Sequence, residues 1–256
     1  MKKALIGFTG FIGSILMRQS YFDELYRSTN INEIGGKNFE LIVCAAAPAW
    51  KWLANKNPED DYAKVSVLID SLSKTSCSKF ILISTVDVFR TPIFVYEDSD
   101  TSDRDLHPYG RHRLLLEQFV KLHFPNHLIV RLPGLVGPGL KKNVVFDLLN
   151  SHNLHMIDSR SVYQFYPVVN LWFDILTSIS LGLQIIHLTA EPISVAEVAQ
   201  FGFGIRFEQE LDTPPVQYDL RSKYAHLFGG KSDYQYTKRE SIQAIRYYAQ
   251  FESTKR

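Results

Sequence analysis

Cysteine is almost missing from this chain: Cys44 and Cys77 are the only two in 256 residues. One lies inside an apolar run and the other in a Ser-rich segment. They provide neither a disulfide framework nor a zinc site, and read as ordinary thiols of a reducing compartment. A charge excess of either sign is missing too. The formal net charge is +1 with 21% charged residues, which gives no sign of a nucleic-acid surface or an acidic tail. No run approaches the ~20 apolar residues that cross a bilayer, so no membrane partner is expected. Met1-Lys2-Lys3 leads into an apolar strand without the cleavage site of a secretory signal, and the expectation is a cytoplasmic protein. Metal-ligand spacing is lacking: Phe124-Pro125 separates His123 from His127, while His152 and His155 sit in a polar turn. There is no internal repeat and no low-complexity segment.

What the chain does have stands at its start. Ala4–Ile6 is a short buried-strand pattern, followed by Gly7, Gly10 and Gly13 at a spacing of three, then by helix formers from Ser14 to Gln19. Strand, glycine turn and helix open a dinucleotide-binding βαβ unit. A side chain at Gly7 would obstruct the exit from the strand. One at Gly10 would hold a pyrophosphate off the backbone N–H groups, and one at Gly13 would push the helix off the sheet. The free N–H groups and positive end of the helix attract phosphate, which makes Gly7, Thr9, Gly10, Phe11, Ile12 and Gly13 candidate cofactor contacts.

Strand and helix patterns then alternate. Phe22–Arg27 reads as a second strand, Phe39–Ala47 as a third stopped by Pro48, and Lys79–Thr85 as a fourth. Asp60–Lys74 has helical spacing, as does Tyr109–Leu122, and Leu128–Leu132 is a fifth strand closed by Pro133-Gly134. Such alternation predicts a doubly wound parallel sheet of Rossmann-like α/β class. Its ligands would lie outside the carboxyl ends of the strands, at Thr9, Ala45–Ala47, Ser84-Thr85 and Pro133. The expected dinucleotide-binding domain covers 1–138, with a strand near 184–189 rejoining its sheet. Residues 139–256 alternate poorly and predict a small α+β substrate lobe, in which Ser194 and Glu197 form a capping box.

Tyr109 and Arg113 are four apart on one helix face, and Thr85 ends the strand before them. A phenol beside a permanent cation has its pKa lowered from about 10, and a threonine hydroxyl could hold the reacting oxygen. The set suits hydride transfer between a nicotinamide and a carbonyl or alcohol. A Tyr–Arg pair one turn apart is also a common packing pair.

These residues resemble the extended short-chain dehydrogenases/reductases, the group of nucleotide-sugar epimerases, dehydratases and reductases. Gly7-Phe8-Thr9-Gly10-Phe11-Ile12-Gly13-Ser14 is similar to that family's T-G-x-x-G-F-I-G-S, and Ala45-Ala46-Ala47 to its alanine motif beside adenine and ribose. Ser84-Thr85-Val86-Asp87-Val88-Phe89 resembles S-[ST]-x-x-V-Y, and Pro108-Tyr109-Gly110-Arg111-His112-Arg113 resembles P-Y-[GA]-x-x-K. Arg131–Pro138 resembles R-x-x-N-V-Y-G-P. The resemblance implies Thr85 and Tyr109 as catalytic residues and Arg113 in place of a lysine that binds the nicotinamide ribose and lowers the tyrosine pKa. Arginine keeps the charge but its planar fork is not equivalent. Val86 stands where dehydratases carry an acid, which disfavours dehydration.

Arg27-Ser28 follows the second strand, where an Arg accommodates a 2′-phosphate, so NADP(H) is favoured over NAD(H). Asp87, Lys142 and Gln164 are candidate substrate contacts. A solvated or capping role suits Asp87 as well, a solvated basic turn suits Lys142, and Gln164 replaces an arginine that often meets the substrate diphosphate in the family. The resemblance implies an NAD(P)-dependent oxidoreductase or epimerase acting on a sugar, with a homodimer through Asp60–Lys74 and Tyr109–Leu122. A dinucleotide-binding regulatory or scaffold subunit, with catalysis lost along with the lysine, is the alternative.

Overall fold

The computed structural model describes residues 2–102 and 104–252. β1 (Lys3–Ile6) leads through the glycine turn into α1 (Phe11–Gln19), followed by β2 (Glu24–Tyr26) and β3 (Asn38–Cys44). The helices α2 (Lys51–Lys56) and α3 (Pro58–Leu72) precede β4 (Ser76–Thr85), after which come β5 (Ile93–Val95), α4 (Pro108–His123), β6 (His127–Leu132) and β7 (Gly134–Val136). Then follow α5 (Val144–Asn150), β8 (Val162–Tyr163), β9 (Phe165–Pro167), α6 (Leu171–Ser180), β10 (Ile185–His187) and β11 (Ile193–Ser194). The chain closes with α7 (Val195–Glu197), which runs on as a π-helix to Phe203, then β12 (Asp219–Leu220) and α8 (Lys238–Phe251).

The central sheet is Rossmann-like, six strands in the order β10-β6-β4-β3-β1-β2, with β2, β1, β3 and β4 paired in parallel. From β1 the chain goes out to β2 and returns to β3 on the other side. The topological switch point therefore lies between β1 and β3, where open α/β sheets bind ligands. Apolar runs make the strands suit a sheet covered by helices: Ala4, Ile6, Ile42, Cys44, Phe80, Leu82 and Ile129 share one core with Val65, Leu72, Leu116 and Val120 of α3 and α4.

The acidic β2 is shorter than its predicted span and keeps its charges by pairing them. Glu24 accepts from Lys2 at 2.8 Å and Lys37 at 2.9 Å, and the Asp23 carboxylate accepts from the Lys3 N–H at 2.7 Å. β3 stops at Cys44, short of its predicted Ala47 end, and the residues after Pro48 form α2, a helix too short for periodicity to reveal. Burial pushes the Cys44 thiol up to about 11 and the Cys77 thiol up to about 12, so neither is a ready nucleophile.

Two compact units emerge, each built from three segments of the chain. The first comprises Met1–Thr91, Asp98–Arg131 and Ile175–Ile186, and the second Pro92–Glu97, Leu132–Asp174 and His187–Arg256. The division departs from the predicted boundary at 138, because β5 pairs with β12 and draws 92–97 into the second unit. That unit is built from small two-strand ladders: β5 with β12 and β7 with β9 in parallel, β8 with β11 antiparallel. Capping boxes start α7 at Ser194/Glu197 and α8 at Thr237/Glu240. Among the described residues, no helix is long and apolar enough to cross a membrane, and no three metal-ligating side chains group together.

Candidate active site

The glycine turn sits at the switch point. Gly7 has φ +87°, its N–H donates to Tyr26 O at 2.8 Å, and a Cβ there would lie 2.5 Å from Ala45 O. At Gly13 a Cβ would lie 2.0 Å from Gly7 O, so only glycine lets α1 approach β1. Gly10 is different: a Cβ would meet only Gly7 O, at 3.3 Å. The contact is far looser than at Gly7 and Gly13, so Gly10 is the glycine of the turn that the packing of α1 on β1 demands least. Gly10 caps α1 with no side-chain hydrogen bond, and the first turn, with Phe11 and Ile12, carries no acid. An uncapped helix start of this kind attracts an anion. Ala45, Ala46 and Ala47 leave the end of β3 beside it, with Ala45 N–H on Ile6 O at 2.9 Å, and exposed Thr9 lies on the turn.

Thr85, Asp87, Tyr109 and Arg113 come together at the carboxyl end of β4. α4 is started there by His107, whose Nδ1 accepts the Gly110 N–H at 3.0 Å, and by Pro108 in the first turn. Gly110 allows the approach: a Cβ on it would lie 2.2 Å from Asp87 O. Asn55 of α2 receives the Tyr109 N–H at 3.0 Å. Four residues beyond Arg113, Glu117 is fully buried, takes two hydrogen bonds from Arg131 at 2.7 and 3.0 Å, and accepts the Ser84 hydroxyl at 2.6 Å. This strut ties α4 to β4 and β6 one turn beneath Arg113.

The Arg113 guanidinium lies over the Tyr109 ring, 4.3 Å from its centroid. It binds Asp61 of α3 through both terminal nitrogens, at 2.8 and 2.9 Å, and Nη2 also donates to Pro48 O. Nε is buried and meets no acceptor among the described residues. Burial opposes ionisation of Asp61, but the hydrogen bonds from Arg113 and His112 outweigh it and hold the carboxyl below its usual range. The positive charge therefore reaches the phenol, while the terminal donors are turned to Asp61 and Pro48.

The phenol itself corrects an expectation. Burial pushes Tyr109 above the ordinary tyrosine range; Arg113 pulls it back, Asp87 adds to the rise, and Thr85 and Lys51 pull it back further without reversing the shift. The cation is in place, but desolvation wins. Asp87 goes the other way. Although burial resists ionisation, His107 and Lys51 bring its carboxyl down to about 2. Its backbone N–H donates to Thr85 Oγ1 at 3.2 Å. Asp87 is thus an ionised, paired group rather than a solvated one.

The remaining predicted residues fall differently. Arg27 and Ser28 are exposed directly after β2, with Arg27 Nε donating to Thr29 Oγ1 at 2.9 Å. Pro133 is buried after β6, and Lys142 is half-buried in the turn before α5. Gln164 corrects its prediction as a substrate contact. It is fully buried, its amide donates to Thr189 Oγ1, Ala190 O and Leu220 O at 2.7–2.8 Å, and its oxygen accepts the Leu220 N–H at 2.7 Å. It is an internal strut of the second unit with nothing left for a ligand. Lys51, Asn55, Asp61 and His107 went unrecognised. Asp61 sits in the acidic start of α3, Glu59-Asp60-Asp61, which reads as ordinary dipole compensation, and nothing local marks one of the three as buried.

The fold and site place the chain among α/β structures with a glycine turn at the switch point and a hydroxyl–phenol–cation set at the carboxyl end of the sheet. Solved structures of this architecture match it over nearly its whole length. The dTDP-4-dehydrorhamnose reductase of Clostridium acetobutylicum superposes with a TM-score of 0.72 at 18% identity, over 98% of this chain and 99% of that one. The enzyme of the same name from Bacillus anthracis, solved with NADP, gives 0.73 at 16% identity over 97% and 98%. A UDP-galactose 4-epimerase gives 0.72 at 17% identity over 97% of both chains. At these identities the likeness is one of fold. No family model and no curated protein matches the sequence.

Proposed function

We propose that this chain is an NAD(P)-dependent oxidoreductase or epimerase that transfers hydride at a hydroxyl or keto carbon of a sugar, with a nucleotide sugar as the substrate class. The observation that carries the reading is the meeting of Thr85, Tyr109 and Arg113 at the edge of the sheet that bears the uncapped glycine turn. The dinucleotide's pyrophosphate would lie at Gly10–Gly13 and its adenine ribose near Ala45–Ala47. The nicotinamide supplies or accepts the hydride when bound. Tyr109 exchanges the proton of the reacting oxygen, Thr85 orients that oxygen, and Arg113 stabilises developing charge on the phenol through the ring it covers. In the reductive direction Tyr109 gives its proton to the carbonyl oxygen. Arg27, exposed directly after β2, supports NADP(H) over NAD(H). The names of these neighbours, a dTDP-4-dehydrorhamnose reductase and a UDP-galactose 4-epimerase, support the substrate class. A homodimer through α3 and α4 belongs to the same reading, since these helices pack together and leave Tyr62, Val67 and Leu122 exposed.

The engagement of Arg113 with Asp61 and Pro48 favours a second reading, a dinucleotide-binding subunit without turnover. Calorimetric titration with NADPH and NADH, followed by assay on 4-keto sugar nucleotides, separates the two. The oxidoreductase reading expects NADPH to bind more tightly and Tyr109→Phe to bind it equally but to lose about 10²–10⁴-fold in turnover. Binding without turnover in any variant leaves the subunit reading; binding of neither nucleotide removes both.

A further inference from the structure

Lys51 belongs to no predicted motif, yet the structure brings it to the same cluster. From the first turn of α2 its Nζ lies 2.6 Å from Asp87 Oδ1. The other carboxylate oxygen, Oδ2, accepts only a long hydrogen bond, 3.4 Å, from Thr85 Oγ1, and Thr85 also stands beside the Tyr109 phenol. The Thr85 hydroxyl has one proton and two oxygens that can take it. A bare carboxylate is the stronger acceptor, so an unpaired Asp87 would hold that proton and set its own negative charge against the phenolate. Arg113 offsets part of this through its charge, but its terminal nitrogens face Asp61 and Pro48 and take no hold of Asp87.

We propose that Lys51 is a positioning residue of this site: its ammonium clamps the Asp87 carboxylate and so leaves the Thr85 hydroxyl to the Tyr109 oxygen. The proposal rests on the oxidoreductase reading for its catalytic consequence, but not for its electrostatic one. Every charged or titratable neighbour of the phenol enters the same balance. Arg113 lies over the ring from α4, and Asp61 of α3, with His112 against it, neutralises Arg113 from behind. Asp87 follows β4, and His107 precedes α4 with Nε2 3.8 Å from Asp87 Oδ1. His107 Nδ1 accepts the Gly110 N–H, and Lys51 Nζ, at 2.6 Å against 3.8 Å for His107 Nε2, is the nearer donor to Asp87 Oδ1. Lys51 is then the cation of the Asp87 pair. Arginine and lysine thus divide two tasks: the buried Arg113 seats the ring, and the part-exposed Lys51 sets the hydroxyl beside it.

The test places 3,5-difluorotyrosine at position 109, whose more acidic phenol titrates where the fold survives, and follows it by ¹⁹F NMR in otherwise wild-type, Lys51→Met and Lys51→Arg proteins. Lys51→Met is expected to move the titration upward by about one pH unit, and Lys51→Arg to restore it. In the protein with natural tyrosine, Lys51→Met should lower kcat for keto-sugar reduction about tenfold, with the KM for NADPH unchanged. An unmoved titration in a folded Lys51→Met protein overturns the proposal. A shifted titration in a chain that turns over no keto sugar supports the clamp and overturns the oxidoreductase reading instead. Thermal unfolding confirms the fold of each variant, since Lys51 is 40% exposed and its loss leaves the core intact.

Discussion

At the scale of single residues, the Arg113–Asp61 pair decides most. Both side chains are almost fully buried, at 3% and 4% exposure, and the geometry is bidentate. A buried pair is weak evidence of net stabilisation, because desolvating two ions offsets their attraction; removing one partner, however, strands the other in a dry site. Asp61→Asn should therefore destabilise the fold by about 3–5 kcal/mol, read from chemical denaturation, and loosen the Tyr109 ring. A loss below ~1 kcal/mol would mean that water reaches the guanidinium. Arg113→Lys loses the fork and should fall between these limits.

At the scale of elements, the site depends on how closely α4 meets the turn after β4. Gly110 makes that contact against the backbone oxygen of Asp87, so even one methyl group must displace the helix start. Gly110→Ala should cost about 1–3 kcal/mol and weaken the His107 cap, because the Gly110 N–H that His107 receives would move with it. Unchanged thermal stability would show that α4 can shift without penalty. The expected contrast is Gly10, where an added Cβ would meet one backbone oxygen at 3.3 Å rather than 2.2 Å: Gly10→Ala should cost less stability than Gly110→Ala and reduce dinucleotide affinity.

At the scale of the whole molecule, α3 and α4 hold the buried residues of the site on one side and carry Tyr62, Val67 and Leu122, 47–87% exposed, on the other. Sedimentation at micromolar concentration should give twice the 29.4 kDa chain mass, and Val67→Asp with Leu122→Asp should reduce it to the monomer. A wild-type monomer would sink the dimer.

Much of the fold was legible in the sequence because its signals are local. Apolar strands, a glycine turn and alternating helices can be read from neighbours a few residues apart, and the Tyr109–Arg113 spacing follows from helix geometry. β10 was visible as an apolar run, and the Ser194–Glu197 capping box as a spacing of three. What the tertiary structure alone decided is which polar groups meet. Asp61 reaches Arg113 across 52 residues and Lys51 reaches Asp87 across 36, separations that leave no pattern in the chain. Gln164 looks like a free amide in sequence and becomes a strut only once β12 lies beside it. The direction of the Tyr109 shift belongs to the same category: the sequence by itself determined that a cation stands one turn from the phenol, whereas desolvation, which outweighs it, exists only after the surrounding elements have closed.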